Sequence, residues 1–303
     1  MTRFYLITGF LGAGKTTFLR QMLNSFAGEK VAVIVNDFGK ERVDATLLEG
    51  MGVELSEINN GSIFCACQID TFHKAMEAVM ERQPDVILTE ASGMTDPTNL
   101  SMVLQWMDES KLCLAGTICL CDAMRFLKVL RTARVVRQQL EAADAVVINK
   151  TGLATPEQLA EIHAEIDRTC PGVPVCETTY AKVPIEWMRA IQHAPDPDSA
   201  SRGPHIKDIT LSSFTLRLVP GVTRARLDAF LEAVTGDTYR LKGFVSLEDG
   251  VYLVDCVGPE LSVTRWEGQT ADLDQLTVLS GNGLPARKSV KAYLEKDPLG
   301  TIE

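Results

Sequence analysis

The sequence carries a glycine-rich segment that ends in a lysine and two threonines, since residues 9–17 read GFLGAGKTT. The segment matches the pattern G-x-x-x-x-G-K-[ST] and directly follows the apolar run of residues 4–8, where a strand is expected. In such a phosphate loop the backbone N–H groups point at phosphates, and the positive end of the following helix adds to the attraction. Lys15 is predicted to reach the β and γ phosphates of a nucleotide, and the Thr16 hydroxyl is predicted to hold Mg²⁺. The predicted nucleotide-binding residues of the loop are Gly12, Ala13, Gly14, Lys15, Thr16 and Thr17.

A second group of chemically competent residues lies at positions 86–93, which read VILTEASG. A phosphate loop needs an acidic or water-positioning partner at the end of a neighbouring strand, and Glu90 ends this apolar run. Glu90 is predicted to hold the Mg²⁺ shell or the attacking water, and Gly93 to bring its N–H to the γ phosphate. The alternative for Glu90 is a carboxylate that only caps the next turn.

Asn149 and Lys150 end a further apolar run, as in the guanine-recognition motif Asn-Lys-x-Asp, but Gly152 stands where the carboxylate is expected. That carboxylate accepts hydrogen bonds from guanine N1–H and N2–H₂, and an unpaired buried polar group costs about 1–3 kcal/mol. We therefore expect guanine preference to fall by about one to two orders of magnitude, unless water or a nearby side chain substitutes. GTP is still favoured, because Asn149, Lys150 and residues 176–179 retain the rest of a base pocket; ATP is the alternative.

The elements that must position these residues follow the pattern of a mainly parallel sheet. Short apolar runs alternate with helical patterns in the first half of the chain, which is typical of βαβ units. The predicted strands are residues 4–8, 31–35, 86–90, 117–121, 145–149 and 173–176. Helix starts are predicted at Asp96-Pro97 and at Thr155-Pro156, where a capping side chain precedes a proline. The fold class predicted for residues 1–194 is therefore α/β, as in P-loop NTPases.

A breaker-rich segment, residues 195–207, is the predicted linker. Beyond it, residues 208–303 are predicted to form a small α+β domain. Its predicted strands are residues 209–218, 243–247, 251–257, 261–266 and 276–279, and its predicted helices are residues 223–234 and 285–294.

Several motifs follow one another in a fixed order: the phosphate loop, then NDFG at residues 36–39, CAC at 65–67, EASGMTDP at 90–97, QL at 139–140, AD at 143–144 and INK at 148–150. Together they resemble the CobW family of metal-chaperone GTPases. RLKGF at residues 240–244 is similar to the C-terminal domain of that family, so the resemblance covers almost the full chain. It implies GTP hydrolysis coupled to delivery of zinc, cobalt or nickel to a client metalloprotein.

The resemblance also assigns two switch segments, residues 36–44 and 90–97. Within the first, Asp37 and Glu41 become candidates for contacts to Mg²⁺, to water or to the chaperoned metal, and Asp37 joins Lys15 and Glu90 as a catalytic candidate. The alternative for both acidic residues is a solvated loop.

The family's metal motif usually has three cysteines in the order Gly-Cys-x-Cys-Cys, whereas residues 61–67 read GSIFCAC. In an extended segment Cys65 and Cys67 point the same way and could grip one Zn²⁺ or Co²⁺, but two ligands do not close a tetrahedral site. The remaining ligands would come from Asp37, Glu41 or His73, or from a second protomer in a nucleotide-dependent homodimer. The alternatives are a pair of half-buried apolar thiols and a redox or corrinoid-linked role.

Composition excludes other classes of function. The 303 residues contain 30 Lys and Arg against 40 Asp and Glu, a formal net charge of -10, with no basic tract. Binding to nucleic acid or to an anionic membrane is therefore not expected. The weakly polar stretch of residues 112–121 is too short to span a bilayer, and the N-terminus lacks a signal-peptide pattern, so a cytoplasmic location is predicted. Cys119 and Cys121 are expected to be buried structural thiols.

The leading hypothesis is thus a metallochaperone whose metal affinity is switched by nucleotide. The second hypothesis is an NTPase that remodels a corrinoid or other metalloprotein without carrying metal, which the reduced thiol motif favours. A P-loop kinase is the third, and the Asn-Lys element and the lack of an arginine-rich lid segment count against it. No residue presents itself as an arginine finger, so slow intrinsic hydrolysis is expected.

Overall fold

The computed structural model describes residues 1–26, 28–37, 54–59, 69–100, 104, 107–108, 110–194, 211–268, 270, 272–281 and 284–303. The chain divides into two compact units, Met1–Lys207 and Asp208–Glu303. No helix in the described ranges is long and apolar enough to cross a bilayer.

The first unit is built on a seven-stranded sheet in which every neighbouring pair is parallel. The strand order is β3-β2-β4-β1-β5-β6-β7, which places β1 in the centre. The strands are β1 Thr2–Gly9, β2 Val31–Asp37, β3 Glu54–Asn59, β4 Val86–Glu90, β5 Leu112–Asp122, β6 Ala145–Asn149 and β7 Val175–Glu177. The helices are α1 Lys15–Ser25, α2 Ile69–Met80, α3 Phe126–Thr132, α4 Arg134–Glu141, α5 Pro156–Thr169 and α6 Ile185–Arg189.

Two apolar layers sandwich this sheet, because successive residues of a strand point to opposite faces. Tyr5 and Ile7 of β1 pack in one cluster with Phe18 of α1, and Phe4 and Leu6 pack in the other with residues of α2. The predicted α/β class is confirmed, and the central strand that carries the phosphate loop is buried on both faces.

Some boundaries differ from the sequence predictions. β3 was not predicted, and β7 is shifted from residues 173–176 to Val175–Glu177. Asp96-Pro97 begins a short 3₁₀ turn, Pro97–Asn99, capped by the Asp96 carboxylate. The capping box at Thr155 and Gln158 is present, with the Thr155 hydroxyl accepting from Gln158 N–H and Gln158 Oε1 from Thr155 N–H.

In its described residues the second unit is an antiparallel six-stranded sheet with two α-helices, which confirms the predicted α+β class. Its elements are β8 Leu211–Leu218, α7 Arg224–Val234, β9 Arg240–Leu247, β10 Gly250–Val257, β11 Val263–Trp266, β12 Gln275–Gly281, α8 Ala286–Leu294 and β13 Gly300–Ile302. Its core includes Leu216, Leu227, Phe230, Val254 and Val278. The three-residue strand β13 was not predicted from sequence.

Candidate nucleotide-binding site

The phosphate loop connects the buried end of β1 to the first turn of α1. Gly9, Gly12 and Gly14 all have positive φ, at 133°, 74° and 98°. Gly14 is the N-cap of α1, and a Cβ at this position would lie 2.4 Å from Asn149 Nδ2. The loop therefore needs glycine at Gly14, both for its left-handed backbone and for the close approach of Asn149.

The side chain of Lys15 folds back over the loop. Lys15 is 8% exposed, and its Nζ donates hydrogen bonds to Gly9 O at 2.9 Å and to Phe10 O at 3.2 Å. An anion entering the loop thus meets an ammonium group that is already held at the loop, beside the positive end of α1.

Thr16 and Glu90 bring two oxygen atoms together beside the loop. The Thr16 hydroxyl donates to Glu90 Oε1 at 3.0 Å. Glu90 is 7% exposed at the end of β4, and its register partner on β1 is Ile7. Hydroxyl and carboxylate oxygens are ligands that Mg²⁺ accepts together with substrate phosphates, so this donor set fits the expected cation.

Of the other predicted metal-site and catalytic candidates, two lie on described elements and three lie outside the described residues. Asp37 is the last residue of β2, whose Val35 is the register partner of Glu90. His73 is a half-buried residue of α2. Glu41, Cys65 and Cys67 lie outside the described residues. Among the residues that the structure does describe, no group of three or more His, Cys, Asp or Glu side chains could hold a metal ion.

Residues 92–95 form a turn after Glu90, which we call the switch turn. Thr95 N–H donates to Ser92 O at 3.0 Å, and Ser92 N–H donates to the buried Asn36 Oδ1 at 3.4 Å. Gly93 lies against the phosphate loop, because a Cβ there would be 2.8 Å from the backbone nitrogen of Leu11. The predicted γ-phosphate residue is therefore in direct contact with the loop.

Asn149 connects the phosphate loop to the segment after β7, residues 178–182, which we call the base loop. Its Nδ2 donates to Ala13 O at 2.9 Å, and its Oδ1 accepts from Ala181 N–H at 2.9 Å. Asn149 is 3% exposed. The sequence motifs predicted Asn149 as a site residue. They did not predict Ala181, because Ala181 belongs to none of these motifs.

Lys150 is held by an acidic residue that sequence reasoning also missed. Lys150 has φ 63°, and its Nζ lies 2.9 Å from Asp122 Oδ2. Asp122 is 5% exposed at the end of β5, and its Oδ1 accepts from Met124 N–H at 2.9 Å. Asp122 could have been predicted as a site residue because it ends β5, which pairs with β6.

Gly152 lies beside the side chain of Thr179, which is in turn close to Thr151. A Cβ at Gly152 would be 3.5 Å from Thr179 Oγ1, an ordinary contact distance. The Thr151 hydroxyl donates to Thr178 O at 3.0 Å and lies 3.4 Å from Thr179 Oγ1. Thr151 and Thr179 are therefore the hydroxyl side chains that lie beside Gly152.

Three of the described cysteines in the first unit, Cys119, Cys121 and Cys170, are buried. Cys119 and Cys121 are each 2% exposed, as expected for structural cysteines. Burial, with the neighbouring Cys119, raises the pKa of Cys121, and burial raises the pKa of Cys170 to about 12. The raised pKa values keep these two thiols protonated and therefore poorly nucleophilic at neutral pH.

Comparison with known families matches both units. Residues 3–177 match the family described as CobW/HypB/UreG, nucleotide-binding domain, and residues 211–296 match the cobalamin synthesis protein CobW C-terminal domain.

Individual proteins are similar over half of this chain or more. A protein named zinc chaperone CobW from a Sinorhizobium species is 29% identical over 286 residues, which cover 80% of this chain and 80% of that protein. The zinc chaperone YeiR of Escherichia coli is 36% identical over 165 residues, covering 52% of this chain and 49% of YeiR. The structure of a Zn(II)-bound triple mutant of the YjiA GTPase covers 97% of this chain and 98% of that one, with a TM-score of 0.50 and 22% identity, which supports the fold.

Proposed function

This chain belongs to the CobW/HypB/UreG family, and on that premise we propose that it is a GTP-hydrolysing metallochaperone that delivers a transition metal to a client metalloprotein. The observation that carries the proposal is the arrangement of Lys15, Thr16 and Glu90 around a glycine-rich loop. The names of the relatives, which are zinc chaperones and a zinc-regulated metalloprotein activator, support the metal part.

In this proposal the backbone of residues 12–17 and the ammonium of Lys15 bind the phosphates of GTP. Thr16 and Glu90 hold Mg²⁺, which when bound neutralises charge on the phosphates. Glu90 and Asp37 are the carboxylates that orient the water attacking the γ phosphorus, and Gly93 N–H contacts the γ phosphate. Such contacts order the switch segments while GTP is bound and release them after hydrolysis.

Asn149 and Lys150 form the base side of the same site. Asn149 fixes the base loop against the phosphate loop, and Lys150 is held against Asp122. The base therefore binds between elements whose positions are set by buried polar contacts.

Zn²⁺ is the proposed cargo and Co²⁺ the alternative, with Cys65 and Cys67 as ligands. A second protomer in a nucleotide-dependent homodimer supplies the ligands that two thiols lack. The client is a metalloprotein, a corrinoid protein being the more specific candidate, and the proposed location is the cytoplasm.

The test is calorimetric titration of the metal-free protein with GTP, GDP and ATP in Mg²⁺, repeated with Zn²⁺ and with Co²⁺. The key variant is Cys65→Ser/Cys67→Ser, and the control is Cys113→Ser, which removes a partly buried thiol outside the candidate site. We expect metal affinity to depend on the nucleotide in the wild type and the control, and this dependence to be lost in the Cys65→Ser/Cys67→Ser variant.

Two outcomes contradict the proposal. If GTP binds but neither metal binds at the two thiols, the protein is an NTPase that remodels a metalloprotein without carrying the ion. If phosphate passes to an acceptor other than water, the protein is a kinase.

A further inference from the structure

Gln139 is a fully buried polar residue that holds the switch turn. It lies on α4 with 0% exposure, and its Nε2 donates to Gly93 O at 3.2 Å and to Thr95 O at 3.1 Å. Both partners are carbonyl oxygens, so the amide nitrogen, and not the amide oxygen, must face them. The side chain therefore ties α4 to the turn that carries Gly93.

A role in core packing alone does not explain a glutamine at this position. Its Oε1 is also buried and accepts no hydrogen bond within the part of the chain that the structure describes. Burying an amide oxygen in this way costs free energy that methionine, of similar size, would avoid. The distinctive contribution of Gln139 is thus the pair of hydrogen bonds that it donates to the switch turn.

The switch turn is held from three directions. Asn36 accepts the Ser92 N–H from the end of β2, and the backbone of Leu11 packs against Gly93 from the phosphate loop. Gln139 holds the turn from the side of α4. Its neighbour Gln138 donates to Asp96, so consecutive residues of α4 hold consecutive parts of the same segment.

We propose that Gln139 is a positioning residue that sets the switch turn so that Gly93 N–H meets the γ phosphate. The inference rests on the proposed function, because it needs a nucleoside triphosphate in the phosphate loop. A diphosphate has no γ phosphate, so its binding does not use the position of Gly93. Gln139 therefore determines how strongly the protein prefers the triphosphate over the diphosphate.

The test compares the wild type with Gln139→Met, which keeps the volume and removes both donors. Each protein is titrated in Mg²⁺ with GDP and with a non-hydrolysable GTP analogue, and single-turnover hydrolysis of GTP is measured. We expect affinity for the analogue and the hydrolysis rate each to fall about tenfold, because two neutral hydrogen bonds are lost. Affinity for GDP should stay within about twofold. The matched control is Gln158→Met, which removes a glutamine hydrogen bond from the start of α5 and should change neither affinity.

Gln139→Glu provides a second readout in case methionine repacks the turn. A protonated glutamic acid can donate one hydrogen bond to a carbonyl, whereas the ionised form can donate none. The ratio of analogue to GDP affinity in this variant should therefore rise, relative to the wild type, as the pH is lowered.

Several results would overturn the inference. Equal weakening of GDP and analogue in Gln139→Met would make the residue structural only, and no weakening of either would make it dispensable. If the wild type binds GDP and the analogue with equal affinity, the protein has no triphosphate preference for Gln139 to determine. That result would overturn the role of Gln139 but not the proposed binding of GTP. A wild type that binds neither nucleotide would overturn both proposals.

Discussion

The phosphate end and the base end of the candidate site are built in different ways. The phosphate end comes from one continuous segment, residues 9–17, and its geometry depends on backbone conformation and on one lysine. The base end is assembled from the ends of three strands, with contributions from Asp122, Asn149 and the base loop. Asn149 joins the two ends, since it bonds Ala13 on one side and Ala181 on the other.

The two ends also differ in how selective their chemistry is. A carboxylate at residue 152 would only accept hydrogen bonds, which favours guanine N1–H and N2–H₂. The Thr151 hydroxyl already donates to Thr178 O, but the Thr179 hydroxyl can either donate or accept, so it can also serve adenine, whose N1 is an acceptor. We therefore expect strict recognition of the phosphates and permissive recognition of the base.

The largest effect is expected at the phosphate end. Lys15→Ala should lower the single-turnover rate with GTP and with ATP alike by about 10²–10³-fold, because it removes a positioned charge. Phosphate release under single-turnover conditions measures this, with Lys74→Ala on the exposed side of α2 as the control. A rate that fell for only one of the two nucleotides would show that the two ends are not separable.

A smaller effect is expected at the residue that joins the two ends. Asn149→Ala leaves the Ala13 carbonyl and the Ala181 N–H without their partner, so the free energy of unfolding should fall by about 2–3 kcal/mol. Binding of GTP and ATP should weaken together. Chemical denaturation and nucleotide titration test this against Asn24→Ala, an exposed residue of α1. Unchanged stability would mean that each end keeps its geometry without the other.

The smallest effect is expected at Gly152. Gly152→Asp has room, since its Cβ would make only an ordinary contact with Thr179, and it supplies the missing acceptor. The ratio of kcat/KM for GTP to kcat/KM for ATP should rise about tenfold, because the new carboxylate can accept hydrogen bonds from guanine N1–H and N2–H₂. Gly236→Asp, in the second unit where a Cβ meets nothing within 4 Å, is the control. A wild-type ratio already above 10³ would contradict permissive base recognition.

The phosphate end was predictable from the sequence because its residues are contiguous and its motif requires a strand and a helix on either side. The central strands were predictable because they are continuous apolar runs buried on both faces. β3 was missed because ELSEIN has few apolar residues, and β13 because three residues give no periodic pattern.

The contacts across the base end and the switch turn were not predictable in the same way. Asp122 and Lys150 are 28 positions apart, and Gln139 lies far along the chain from Gly93. The sequence marked residues 139–140 as a motif but could not show what Gln139 contacts, because the contact depends on how α4 packs. Thr179 faces Gly152 only because β6 and β7 are neighbours in the sheet.

The strand order has a consequence for hydrogen exchange. β1 lies between β4 and β5 and is buried on both faces, whereas β3 pairs only with β2 within the described part of the sheet. Amide protons of β1 should therefore exchange only through global unfolding, and those of β3 through smaller local openings. Because β3 precedes Cys65 and Cys67 in the chain, a change in its exchange rates on addition of Zn²⁺, with β1 still protected, would support the proposed metal site at these two thiols.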